Sequence, residues 1–204
     1  TKIADDTFSG CASLECIVVA KGNPKYDSRE SCNAIVETAS NTLISGCKTT
    51  TIPESVIRIS GGAFKNCTSL KSITIPEWVK FIDWCTFFGC ESLKSILVAD
   101  KNPIYDSREG CNAIIKTAKD ALICGCGATV IPESVTEISP YAFYGCTTLK
   151  NIVIPDSVKK IGHSAFEDCT ALKHLLIPDS VKEIEFCAFE NCTSLTSVTI
   201  PDSV

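Results

Sequence analysis

Apolar residues recur along this chain in a 23-residue pattern, I-P-x-S-V-x-x-I-x-x-x-A-F-x-x-C-x-x-L-x-x-I-x-I-P, with prolines at Pro53, Pro76, Pro132, Pro155, Pro178 and Pro201. Three aliphatic columns define one segment. Leu14, Leu70, Leu93, Leu149, Leu172 and Leu195 form the first, and Ile17, Ile73, Ile96, Ile152, Leu175 and Val198 the second. Val19, Ile75, Val98, Ile154, Ile177 and Ile200 form the third. The closing I-x-I alternates with period two, which predicts a short strand buried on one face. Proline then ends the strand, because it has no N–H to give a ladder. The S-V-x-x-I stretch predicts a second, short extended or irregular side. A-F-x-x-C predicts a tight helical or 3₁₀ turn whose Phe inserts between layers, giving the column Phe8, Phe64, Phe87, Phe143, Phe166 and Phe189.

No single such coil can bury its own apolar face, so the coils must stack. A period of 20–29 residues around L-x-x-I-x-I is the signature of leucine-rich repeats. The expected fold is therefore an α/β leucine-rich-repeat right-handed solenoid of about eight coils. It places a parallel β-sheet on the concave face and short 3₁₀ or helical turns on the convex side, and residues 1–204 form one domain. Two coils are longer. Proline gives way to Ala20 and Ala99, and the next I-P arrives 33 residues on, so the long coils run over about 20–53 and 99–132. They are near copies at a spacing of 79 residues, sharing N-P-x-Y-D-S-R-E, C-N-A-I and T-A-x-x-x-L-I-x-G-C. Their later parts predict β-hairpins, Asn33 to Thr38 with Thr42 to Cys47 and Asn112 to Thr117 with Ala121 to Cys126. Polar turns at Ala39-Ser40-Asn41 and Ala118-Lys119-Asp120 suit this.

This pattern closely resembles the BspA-like leucine-rich repeats of surface proteins from host-associated bacteria and some protists. The match is carried by A-F-x-x-C-T-x-L-K-x-I-x-I-P-x-S-V, as in Ala63 to Val79 and Ala165 to Val181. The long Y-D-S-R-E-x-C-N-A-I coil resembles a variant within the same family. The resemblance implies a cell-surface or secreted protein, and adhesin-like binding of host extracellular-matrix or cell-surface proteins. The repeat consensus itself holds no ligand motif, so it transfers no site residue.

Charge and length narrow the partners. A net charge of -5 and a pI near 5.1 argue against nucleic acid, which asks for a clustered basic face. No apolar run is long enough to span a membrane. Thr1-Lys2-Ile3 lacks the pattern of a secretory signal. Methionine is absent, the first residues match the middle of a repeat, and Pro201-Asp202-Ser203-Val204 matches the start of another. The chain is thus expected to be a processed or excised piece of a longer array, acting as a monomer.

Candidate chemistry is sparse. Six of the fourteen cysteines (Cys11, Cys67, Cys90, Cys146, Cys169 and Cys192) share one repeat position. Equivalent Cβ atoms on stacked coils lie about a strand spacing apart, ~4.8 Å, against ~3.8 Å for a disulfide. A column of buried thiols packing as small hydrophobes is expected. No C-x2-C knuckle suggests zinc, so no metal or cofactor is expected. His163 and His174, the two histidines, occupy variable positions with no nucleophile arrangement around them, so no enzyme activity is expected. The sequons at Asn66 and Asn191 coincide with the cysteine column. The Y-D-S-R-E segments, Tyr26 to Glu30 and Tyr105 to Glu109, read as loops fixed by their own Asp and Ser side chains.

Residues between the inward positions of L-x-x-I-x-I should face outward. They form a row of Val18, Thr74, Leu97, Val153, Leu176 and Thr199, beside Cys16, Ser72, Ser95, Asn151, His174 and Ser197. Lys71, Lys94, Lys150 and Lys173 flank them. Solvated sheet faces usually carry polar residues outward, so an aliphatic row rimmed by lysines marks a candidate protein contact. Lys71, Lys94, Leu97, Lys150, Val153, Lys173, His174 and Leu176 are the candidate binding residues. The expected function is a non-catalytic protein-binding module. The alternatives are a passive spacer that presents a neighbouring module, and an intracellular interaction scaffold.

Overall fold

Short strands bounded by Pro and by left-handed turn residues build the computed structural model, which describes residues 2–4 and 6–204; Thr1 and Asp5 lie outside the described residues. Two compact units result: Thr1–Leu93 with Val98–Asn102, and Lys94–Leu97 with Pro103–Val204. The strands run β1 (Tyr26–Asp27), β2 (Ala34–Glu37), β3 (Thr42–Gly46), β4 (Arg58–Ile59), β5 (Ser72–Ile75), β6 (Phe81–Ile82) and β7 (Ser95–Val98). They continue as β8 (Tyr105–Asp106), β9 (Ile114–Lys116), β10 (Ala121–Cys124), β11 (Glu137–Ile138), β12 (Lys160–Ile161), β13 (His174–Leu176), β14 (Glu183–Ile184) and β15 (Ser197–Thr199).

In the first unit the sheet order is β1-β2-β3-β4-β6. β2 and β3 form the expected antiparallel hairpin, with Val36 opposite Leu43 and a register shift at Ile35/Val36. Asn41, at φ 50, supplies the left-handed residue that closes its four-residue turn. From β3 onward the pairing turns parallel, Leu43 to Ile59 to Ile82. The second unit repeats the plan as β14-β12-β11-β10-β9-β8, with Asp120 at φ 47 in the turn and Leu122, Ile138, Ile161 and Ile184 aligned. The S-V-x-x-I side thus carries the longest parallel ladder of each unit. β13 and β15 pair separately in parallel, extended by a bridge between Asn151 and His174.

The A-F-x-x-C segments correct the expectation of a helix or 3₁₀ turn. They are chains of hydrogen-bonded turns, and the 3₁₀ helices fall in the long coils, at Arg29–Ser31, Arg108–Gly110 and Thr117–Lys119. The cause is conformational. The residue before A-F (Gly62, Cys85, Tyr141, Ser164, Cys187) and the residue before Cys (Asn66, Gly89, Gly145, Asp168, Asn191) all have positive φ. A left-handed residue interrupts a right-handed helix. The freed N–H groups reach instead to the next coil: Tyr141, Phe143 and Gly145 donate to the carbonyls of His163, Ala165 and Glu167, and Ser164, Phe166 and Asp168 to those of Phe186, Ala188 and Glu190.

The phenylalanine column stacks as expected. Phe143 lies 4.9 Å from Phe166, and Phe166 lies 5.4 Å from Phe189, with rings within 13° of parallel. Long coils lack the Phe and substitute glycine, so that Phe64 and Phe143 rest on the backbone of Gly46 and Gly125; a Cβ on Gly125 would lie 2.2 Å from the Phe143 ring. Serines of the I-P-x-S-V turn tie coil to coil: Ser157, Ser180 and Ser203 donate to the carbonyls of Val135, Val158 and Val181 at 2.6, 2.8 and 2.7 Å. The second unit encloses one apolar cluster that includes Leu122, Ile138, Phe143, Ile161, Phe166 and Leu172. A smaller cluster of Ile17, Tyr26, Ile35 and Cys47 sits near the start of the first unit.

Candidate protein-contact face

The outward row begins from strand alternation. Along β13, His174 and Leu176 are exposed and Leu175 is buried, with Leu176 paired to Thr199 and His174 to Ser197. One coil earlier, Val153 is 81% exposed between buried Ile152 and Ile154; Leu176 is 73% exposed. Lys150 and Lys173 are exposed on successive coils, the Lys173 N–H donating to the Lys150 carbonyl at 3.2 Å. Lys94 is exposed and Leu97 is 47% exposed in the same unit. Lys71 is exposed in the other unit, beside Ser72 and Thr74.

One member of the row escaped the sequence reading. Val130 is 70% exposed and stands in Val130-Ile131-Pro132 as Val153 stands in Val153-Ile154-Pro155. The sheet order through β10, β11 and β12 makes its coil the neighbour of the Val153 coil. Val130 was hidden because the long coil was aligned by its hairpin and not by the V-I-P that follows. Lys48 was missed for the same reason; it occupies the lysine column of the first unit and pairs with Glu15 at 2.7 Å. Val130, Val153 and Leu176 thus form an uncovered aliphatic row on three successive coils, rimmed by lysines.

Other polar groups are committed to structure. Arg29 forks onto Asp27 at 2.6 and 2.8 Å and also donates to Asn41 at 2.7 Å and Ser55 at 3.2 Å. Arg108 repeats this on Asp106, Asp120 and Ser134 with matching distances. Side-chain hydrogen bonds from Arg29 hold the Asp27 carboxyl below the usual range. Asp27 accepts the Arg29 N–H at 3.0 Å within the first Y-D-S-R-E segment, while Ser28 ties it to its surroundings, donating to the Ala34 carbonyl at 2.8 Å and accepting the Val19 N–H. The segment differs from a plain loop in that Tyr26–Asp27 joins β2 as a third antiparallel strand.

All fourteen cysteines are thiols outside any disulfide. In the shared column the thiols of Cys90, Cys169 and Cys192 donate to the carbonyls of Phe64, Phe143 and Phe166 at 3.0–3.2 Å. Burial pushes the Cys146 thiol up to about 12 and raises Cys169 as well. The column is buried at Cys67 and Cys169 and half-buried at Cys90, Cys146 and Cys192, and Cys11 departs from the expected burial in being exposed. His163 stacks on Phe186 at 4.8 Å and meets the Tyr141 ring edge-on, and its Nδ1 lies 3.4 Å from Glu185. Among the described residues no cluster of three or more His, Cys, Asp or Glu gathers as metal ligands would, and no helix is long and apolar enough to cross a membrane.

Comparison with solved structures finds the same fold. A leucine-rich cell surface protein from Faecalibacterium prausnitzii superposes with a TM-score of 0.59 at 22% identity, covering 98% of this chain and 57% of its own. A leucine-rich repeat protein from Eubacterium ventriosum gives 0.51 at 22% identity, over 97% and 57%. The pneumococcal vaccine antigen PcpA gives 0.53 at 20%, over 78% and 48%. The chain thus spans little more than half the length of the first two. Comparison with curated proteins gives no match. The model of the BspA type leucine-rich repeat region matches residues 42–109 and 123–204, in six copies. With its strand columns, phenylalanine stack and repeated turns all accounted for by that repeat, the chain belongs to the BspA-type leucine-rich-repeat family.

Proposed function

We propose that this chain is a non-catalytic protein-binding module, displayed at a cell surface, whose contact face is the row of Leu97, Val130, Val153 and Leu176 with Lys94, Lys150 and Lys173 at its rim. The observation that carries this is the exposure of Val130, Val153 and Leu176, at 70%, 81% and 73% on three successive coils. Aliphatic side chains on a solvated sheet face leave their burial energy unused until a partner covers them. The lysines favour an acidic or neutral rim on that partner, and they steer its approach. Surface display is supported by the name of the Faecalibacterium structure as a cell surface protein and of PcpA as a vaccine antigen. The partner class is an extracellular-matrix or cell-surface protein of a host, and His174 lies at the margin of the contact.

The test is direct binding to a panel of purified matrix and cell-surface proteins by surface plasmon resonance. The triple variant V130D/V153D/L176D should lose at least roughly 100-fold in affinity, since each buried aliphatic contributes ~1.5–3 kcal/mol. A spacer would bind no panel member, or would bind equally well with the three aspartates in place.

A further inference from the structure

We propose that the first unit holds a second, separate site, a groove under Trp78 that takes an arginine side chain of a protein partner. Trp78 is the departure from rule in its column: Ser55, Ser134, Ser157, Ser180 and Ser203 fill the same place in other coils. Where Ser157, Ser180 and Ser203 tie their coil to the previous one, Trp78 gives up that hydrogen bond and stands 55% exposed. A bulky indole held in water in place of a bonded serine is a cost to folding, and such a cost points to use elsewhere.

The groove has an open volume of about 540 Å³, with Trp78 and Ile57 as its apolar surface and Glu30, Glu54 and Lys80 among its charged lining. Its remaining polar members, Asn41 and Ser55, are held by Arg29, whose own charge is answered by Asp27. Glu30 and Glu54 are both exposed. The lining therefore offers two carboxylates against one ammonium, above an aromatic face. An arginine fits this best: its apolar stem covers Ile57, its planar guanidinium stacks on the indole, and its fork meets a carboxylate.

The second long coil supplies an internal control. Glu109, Glu133 and Lys159 stand where Glu30, Glu54 and Lys80 do, and Arg108 repeats the network of Arg29. Asp120 stands for Asn41 and is bound by Arg108 as Asn41 is by Arg29, and the apolar pair is missing, Thr136 and Ser157 standing in place of Ile57 and Trp78. The chain has thus kept the wall twice and added the binding surface once.

The experiment follows the indole N–H resonances of Trp78 and Trp84 in ¹⁵N-labelled protein, assigned with Trp78→Ser. The probe is the peptide acetyl-Gly-Arg-Gly-Arg-Gly-amide, with chitotriose in parallel. The Trp78 resonance should shift saturably with the peptide and not with the sugar. Glu30→Gln with Glu54→Gln should weaken the peptide by roughly tenfold, the scale of one or two lost cation contacts. Trp78→Ser, which can regain the serine bond and so keep its fold, should bind at least tenfold more weakly by calorimetry. A still Trp78 resonance, a response to chitotriose alone, or undiminished binding by either variant would overturn the proposal. None of these changes touches the Val130–Leu176 row, so this site and that face fail separately.

Discussion

Cys169 has its thiol fully buried and donating to the Phe143 carbonyl, so its chemistry is that of a small apolar residue with one weak hydrogen bond. Two predictions follow from burial at this scale. In native protein a thiol reagent should modify Cys11, Cys16 and Cys187 quickly, while Cys32, Cys47, Cys67, Cys111, Cys126 and Cys169 wait for denaturant; counting reacted thiols with and without urea checks it. The second concerns alkali. An unfolded thiol loses its proton near ~8.5, whereas folded Cys146 holds its own to about 12 and Cys169 shifts the same way. Between those values the unfolded chain binds fewer protons, so the contribution is fully present below about pH 8.5 and is lost as pH rises. Urea midpoints should fall above pH 9, less so in Cys146→Ala with Cys169→Ala. A midpoint with the same pH profile in both proteins would show that the thiols stay solvated. Phe166, stacked on both sides, should cost ~3–5 kcal/mol when cut to Ala.

At the scale of the element, strands and hairpins were legible because period-two alternation and paired turn residues are local signals. The hairpins formed within the spans marked by their polar turns, as Ala34–Glu37 with Thr42–Gly46 and Ile114–Lys116 with Ala121–Cys124, and Thr117 was drawn into a 3₁₀ turn. The A-F-x-x-C segment was not legible as a turn ladder. Asn66 and Gly89 hint at left-handed backbone, but Tyr141 and Ser164 adopt it where the neighbouring coil accepts their N–H groups, at the His163 and Phe186 carbonyls. β1 was missed for a related reason: Asp27 is a poor strand residue, held there by the Arg29 fork and not by propensity. Glycine in place of the missing Phe gives a clear test. Gly125→Ala places a methyl group inside the Phe143 ring and should destabilise by ~1–3 kcal/mol in urea titrations. Ser180→Ala, which removes one bond to the Val158 carbonyl, should cost about 1 kcal/mol. An unchanged midpoint for Gly125→Ala would mean that the ring is free to move away.

At the scale of the whole molecule, the repeat made the fold readable and left the partner unreadable, because a consensus records what coils do for one another. The exposed aliphatic positions showed in the sequence only as far as the strand columns reached, at Val18, Leu97, Val153 and Leu176. Val130 lay beyond them, since an insertion that shifts the count by ten residues also hides an equivalent position. Single substitutions should grade the face: Val153→Asp and Leu176→Asp each weaken partner binding by about tenfold or more, while Thr199→Asp, at the polar margin, changes it little. Surface plasmon resonance with the partner identified from the panel reads all three, and a larger effect at Thr199 would move the contact to the next coil. The turn ladder adds a vectorial property. In the second unit every inter-coil N–H of the A-F-x-x-C turns points toward the following coil and every answering carbonyl points back. Their peptide dipoles sum along the pile, as they do in a helix, instead of cancelling as between strands. The S-V-x-x-I ladder runs the other way, with the N–H groups of Lys159, Gly162, Lys182 and Glu185 donating back to Thr136, Ile138, Lys159 and Ile161, so each face of a coil offers donors along one side and acceptors along the other, and a neighbour can dock on it in one sense.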